Sequence, residues 1–159
     1  MRNIIIEGTD GVGKTTLAKN LASAYGYNYF HSSSKTPNDY QYHFSLLDSD
    51  DKVVLDRFHI GELIYPILFD RDSKLTVESA TMLSRMDDTL TIILYSSSDE
   101  FIINRIVERG DAEDMKVVIA ANKMFQMIGQ FLELLGVEVM MIDVSKENLI
   151  QKVVEKINV

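Results

Sequence analysis

Cysteine is absent from all 159 residues, which excludes disulfide bridges and thiolate metal sites and fits a cytoplasmic protein. No apolar run approaches the roughly 20 residues needed to cross a bilayer. Ile4 to Ile6 already read as a core strand, so no signal peptide is expected ahead of them. Positive charge is scarce: 16 Lys and Arg stand against 24 Asp and Glu, a net charge of -8. That balance argues against broad binding to nucleic acid or to an anionic membrane. A small anion escapes the exclusion, because local amides and a few basic side chains hold phosphate well inside an acidic protein. No repeat, linker or low-complexity tract interrupts the chain. Its length suits a single domain over residues 1–159, and its apolar content of 46% is that of an ordinary globular protein with a real core.

Strand-like and helix-like segments alternate. Asn3 to Ile6 reads as a short buried strand, and Lys14 to Tyr25 repeats apolar residues at helical spacing before Gly26 ends it. Next come a strand over Tyr27 to His31, a helix over Pro37 to Leu47, a strand over Lys52 to Asp56 and a helix over Thr76 to Met86. Leu90 to Tyr95 (LTIILY) is the clearest buried strand. Ser98 reads as an N-cap, with Asp99 and Glu100 favourable to the dipole of a helix over Phe101 to Arg109. A long helix is expected over much of Ala112 to Leu135, with Met115, Met124 and Met127 in the core. A strand over Val137 to Ile142 and a helix over Lys146 to Ile157 complete the pattern. Such alternation predicts a parallel sheet covered on both faces.

Gly8-Thr9-Asp10-Gly11-Val12-Gly13-Lys14-Thr15 has the spacing of a phosphate-binding loop between a strand and a helix. The glycines let the backbone bend and bring its N–H groups to phosphate oxygens, and the following helix adds its positive end. Cofactor contacts are expected from Gly8, Asp10, Gly11, Val12, Gly13, Lys14, Thr15 and Thr16, with Lys14 on the β- and γ-phosphates of ATP and the Thr15 hydroxyl on Mg²⁺. The loop alone leaves switch, motor and kinase open. A GTPase is disfavoured, since Asn122-Lys123-Met124-Phe125 lacks the aspartate of a guanine motif and sits in a helical segment.

Three segments carry a more specific likeness. Glu7 to Thr16 (EGTDGVGKTT), Val54 to Tyr65 (VLDRFHIGELIY) and Leu94 to Asp114 (LYSSSDEFIINRIVERGDAED) together resemble the thymidylate kinase family of P-loop nucleoside monophosphate kinases. The resemblance implies a five-stranded parallel sheet ordered 2-3-1-4-5 in a three-layer sandwich, with ATP and Mg²⁺ at the C-terminal ends of the strands. It also implies transfer of the γ-phosphoryl group to a nucleoside monophosphate, with Asp10 near the acceptor sugar. Asp56, at a buried strand end beside the loop, suits Mg²⁺, and Arg57 offers a planar fork for the acceptor phosphate. Arg105 and Arg109 lie four apart on one helix face, in a lid expected over residues 105–116. They are candidates to follow the transferred group, with Lys116 assisting, because the phosphate loop itself has no basic residue before Lys14.

The sequence departs from that family between its first helix and the Asp-Arg motif. The region is short, reads YFHSSSKTPNDYQYHF, and has no Arg-Glu-Pro segment. An abbreviated acceptor region over residues 31–50 is expected. Phe30, His31, Lys35, Tyr40 and Tyr65 are candidates for base or phosphate contacts, with Phe30 and Tyr65 reading equally as core aromatics. His59 and Glu62 are expected on the acceptor side. The acceptor expected is a pyrimidine deoxynucleotide such as dTMP or a modified analogue, and a homodimer is expected by analogy. A nucleoside or a base within DNA, accepting through a hydroxyl with Asp56 or Glu62 as base, is the alternative. A regulatory ATP-binding module is a third reading, opposed by the intact Lys14, Thr15, Asp56 and Arg57.

Overall fold

The computed structural model describes residues 2–33, 35–37, 39–146 and 153. Its centre is a five-stranded sheet in the order β2-β3-β1-β4-β5, every neighbouring pair parallel. The strands are β1 (Asn3–Gly8), β2 (Asn28–His31), β3 (Val53–Asp56), β4 (Thr89–Tyr95) and β5 (Val139–Asp143). β1 is buried along its whole length between β3 and β4. A strand covered on both faces reads as a continuous apolar run, and Ile4-Ile5-Ile6 does so.

Alternate side chains of that run feed different layers. Ile4 and Ile6 pack with Leu17 and Leu21 of α1 (Lys14–Tyr25) and with Ile102 and Ile106 of α5 (Asp99–Arg109). On the opposite face, Ile5 packs with Leu47 of α2 (Tyr40–Leu47) and Leu83 of α4 (Val77–Ser84). Beside them, Ile64 of α3 (Gly61–Leu68) and Phe125 of α6 (Met115–Leu134) enclose Ile93 of β4. The result is the expected three-layer α/β sandwich.

Several ends are set by side chains. The Asp39 carboxylate accepts the Tyr42 N–H at 2.9 Å, so α2 begins at Tyr40 and not at Pro37. Asp114 likewise caps the Lys116 N–H at 2.9 Å and delays α6 to Met115. Thr76 and Ser79 form a reciprocal capping box, and Ser98 accepts from Phe101 as expected. Met127 is a correction: it is 68% exposed on α6, whereas Met115 and Met124 are partly buried against the core. The helix expected over Lys146 to Ile157 lies outside the described residues apart from Lys146 and Val153, of which Val153 is buried against the α1 and α5 face.

Candidate active site

Between β1 and α1 the chain makes a turn that only glycine tolerates. Gly8 has φ 142°, and a Cβ there would stand 2.3 Å from the Leu94 carbonyl oxygen. The Thr9 hydroxyl donates to the Val118 carbonyl at 3.0 Å, and Gly11 rests on Ile102 and Ile106, so α5 and α6 brace the loop from outside. Val12 is buried in the core, which leaves only its backbone for a ligand. Lys14 is 4% exposed, and its ammonium donates to the Thr9 carbonyl at 2.5 Å and lies 3.7 Å from the Asp10 carboxylate. Burial pulls its pKa down to about 8 against the opposing pull of Asp10. The first N–H groups of α1 have no partner within the helix. A cavity of about 100 Å³ opens over them, lined by Gly11, Gly13, Lys14, Thr15 and Thr16 and bounded by Asp10, Arg57 and Arg109.

β3 ends beside this loop. Asp56 is fully buried, and its Oδ2 accepts from the Thr15 hydroxyl at 2.6 Å and the Tyr29 hydroxyl at 3.0 Å, with His31 Nδ1 also at 3.0 Å. Burial works to raise the pKa of this carboxyl, but the hydrogen bonds from Thr15, His31 and Tyr29 outweigh it and hold it below the usual carboxylate range. Oδ1 is buried and has no hydrogen-bond partner among the described residues. An ionised carboxylate with a spare oxygen beside a threonine hydroxyl suits Mg²⁺, a hard cation that takes few protein oxygens and completes its shell with water and phosphate. No group of three or more His, Cys, Asp or Glu among the described residues forms an all-protein metal cage.

Arg57 follows in the left-handed region, φ 63°, held there by its N–H on the Ile6 carbonyl at 3.0 Å. Its guanidinium pairs with Asp10, and the two residues line both the small cavity and a larger one of about 400 Å³. In the larger cavity Tyr65 and Phe69 stack with ring centroids 6.1 Å apart, and Glu62 lies 3.4 Å from Arg71. Burial pushes ionisation of the Tyr65 hydroxyl upward.

Most of the expected residues converge here. Asp10, Arg57, Glu62 and Tyr65 meet in the larger cavity, and Lys14, Thr15, Thr16 and Arg109 in the smaller. Others do not. Arg105 lies over the Phe101 ring at 5.4 Å and lines neither cavity, while Arg109 pairs with Asp111 at the mouth of the smaller one. His59 is turned away from the acceptor side: it is buried, with Nε2 2.6 Å from the Ser84 hydroxyl. Among the described members of the 31–50 segment, only Ser32 and Ser33 line the larger cavity, whose wall comes mainly from α3 and its flanks. Asp56 is likewise outside that cavity. Glu7 is a residue that the spacing arguments passed over. It is buried, and its Oε1 accepts from the N–H groups of Phe58, Ile60 and Gly61. Its signal was a charge inside an otherwise apolar core strand, a placement that requires buried partners.

No family model matches the chain. The SPbeta prophage-derived uncharacterized protein YorR of Bacillus subtilis (strain 168) is 31% identical over 117 residues, which make up 70% of this chain and 71% of YorR. The chain belongs to the YorR family. The crystal structure of YorR in complex with phosphorylated GDP superposes with a TM-score of 0.80, covering 98% of this chain and 95% of that one, and over this wider superposition the identity is 20%. Deoxyadenosine kinase from M. mycoides with bound dATP gives a TM-score of 0.67 at 16% identity over the full length of both chains. Thymidylate kinase from Candida albicans gives 0.66 at 17% identity, covering 99% of this chain and 91% of that one. This member of the YorR family therefore has the P-loop kinase fold, with the strand order 2-3-1-4-5.

Proposed function

We propose that this chain is an ATP- and Mg²⁺-dependent nucleoside monophosphate kinase, acting on a pyrimidine deoxynucleotide such as dTMP or a modified analogue. The observation that carries the reading is the Asp10–Arg57 pair, which stands between a small cavity over the phosphate loop and a larger cavity floored by stacked aromatic rings. The nucleotides bound in the YorR and deoxyadenosine kinase structures support a nucleotide in this one.

In this scheme Lys14 and the loop amides grip the tail of ATP, and Thr15 with Asp56 holds Mg²⁺, which supplies positive charge to the polyphosphate. Arg57 leaves Asp10 for the acceptor phosphate. Arg109 leaves Asp111 as residues 105–116 close, and covers the transferring group. An acceptor oxygen bonds to the γ-phosphorus while the bond to the β,γ-bridging oxygen breaks and ADP departs. A phosphate acceptor is already ionised, so no general base is needed.

Transfer to a nucleoside hydroxyl is the second reading, favoured by one observation: Glu62, a carboxylate able to act as base, lines the larger cavity. Self-association into a homodimer is part of the proposal, supported by the exposed Ile67 of α3 and Phe131 of α6, which line one apolar cavity together. A cytoplasmic location is proposed too, and no helix among the described residues is long and apolar enough to cross a membrane. Turnover with ATP, Mg²⁺ and a panel of nucleosides and their monophosphates tests the reading. Transfer to monophosphates is expected, falling about 100-fold in Arg57→Ala. Transfer to nucleosides alone would reverse the two readings, and no transfer at all would leave a binding module.

A further inference from the structure

Arg57 sits in a left-handed conformation that side-chain-bearing residues avoid. The residue before α3 is Ile60, which offers no side-chain cap to the orphan N–H groups of the first turn. The Leu63 N–H turns back to the Ile60 carbonyl at 3.0 Å, whereas the Ile60 and Gly61 N–H groups are met from more than 50 residues away in sequence. Glu7, near the C-terminal end of the central strand, points to the face opposite Ile6, and its Oε1 accepts from Ile60 at 2.8 Å, Phe58 at 3.1 Å and Gly61 at 3.4 Å. The Ile6 carbonyl takes the Arg57 N–H, so adjacent residues of β1 fasten both sides of the Arg57 backbone. Placing a carboxylate in the core is costly, and a residue kept at that cost without reaching either cavity acts through what it holds.

We propose that Glu7 is a positioning residue that clamps the β3–α3 turn, aiming Arg57 at the cleft and setting α3 so that Glu62 and Tyr65 face the larger cavity. The consequence for acceptor binding rests on the kinase reading above, whereas the clamp itself does not. Reach and charge separate cleanly in two substitutions. Glu7→Asp keeps the charge and withdraws the oxygen from the three amides, and Glu7→Gln keeps an accepting oxygen at the same reach without the charge.

The test combines amide hydrogen exchange, read by NMR at residues 57–62, with steady-state kinetics on ATP and the monophosphate panel. In the unaltered protein the Phe58 and Ile60 amides should exchange far more slowly than those of exposed loops. Glu7→Asp should lose that protection while the β1 and β4 amides keep theirs. It should raise the acceptor KM about 10-fold or more, with the KM for ATP within about 3-fold. Glu7→Gln should stay within about 3-fold of the starting protein on both. Fast exchange at Phe58 and Ile60 in the unaltered protein overturns the clamp even if Glu7→Asp fails to fold. So does a Glu7→Gln variant as impaired as Glu7→Asp, or a rise in both KM values together. If no monophosphate is phosphorylated by the unaltered protein, the kinase reading fails, and the exchange data still decide the clamp.

Discussion

Lys14, Asp56, Glu7, His43 and His59 are ionisable side chains buried around the cleft and its supports, and burial treats them differently. Lys14 and Asp56 keep opposite charges within range of one another and stay ionised at neutral pH. Glu7 is pushed up to about 7 by burial, opposed by the amides of Ile60 and Gly61 and by Lys14. His43 and His59 go the other way, down to about 4 and about 3 by burial, with Asp39 opposing the change at His43 and His43 adding to it at His59. The linkage signs follow. A histidine held neutral in the fold binds fewer protons there than when unfolded, so its contribution is complete above 6.5 and is lost as pH falls towards 4. Glu7 holds its proton more tightly when folded, so its contribution is complete below 4.5 and fades as pH rises through about 7. Two histidines outweigh one glutamate over the shared interval, and stability should climb from pH 4 to about 6.5. His43 has no hydrogen-bond partner on either ring nitrogen among the described residues and packs edge-on against Phe58 at 4.2 Å. His43→Phe should therefore flatten the acid limb, removing a pH-dependent loss on the order of 3 kcal/mol. Urea unfolding at a series of pH values measures it, and a limb as steep as before would contradict the assignment.

At the scale of elements, α1 was readable to the residue, because Lys14 ends the phosphate loop and Gly26 takes a left-handed C-cap. The helix starts that slipped, those of α2 and α6, did so by the few residues that Asp39 and Asp114 claim as caps. α3 was harder. It is eight residues long, contains Pro66 and has no side-chain cap, so periodicity alone gave little. Its true N-terminal partner, Glu7, is a long-range acceptor that no local spacing rule finds. α5 separates two arginines that share one helix face in sequence. Arg105 is spent on Phe101, while Arg109, beside the Gly110 cap, lines the small cavity itself and pairs with Asp111. Arg109→Ala should cut kcat by about 10- to 100-fold, and Arg105→Ala by no more than about 3-fold. Equal losses in the two variants would place both guanidiniums over the transferred group.

For the whole molecule, the alternation of strands and helices was enough to predict a parallel sheet covered on both faces, and the resemblance added its order. The sheet then does the geometric work: β1 and β3 run side by side, so the phosphate loop and the Asp56-Arg57 pair emerge together at one end. Which residues wall the acceptor side was less legible. The short 31–50 segment lends it only Ser32 and Ser33 among the described residues; α3 and the turn after it supply Gly61, Glu62, Tyr65, Phe69 and Arg71, and Asp10, Arg57, Phe58 and Glu113 complete the wall. Under the kinase reading, two anions are gripped on either side of Asp10 and Arg57. A dinucleoside pentaphosphate, adenosine at one end and thymidine at the other, would span both cavities at once. Titration calorimetry with Mg²⁺ should find it binding at least roughly 100-fold tighter than a non-hydrolysable ATP analogue, with the advantage lost in Arg57→Ala. Binding no tighter than the analogue, and indifferent to Arg57→Ala, would contradict the account.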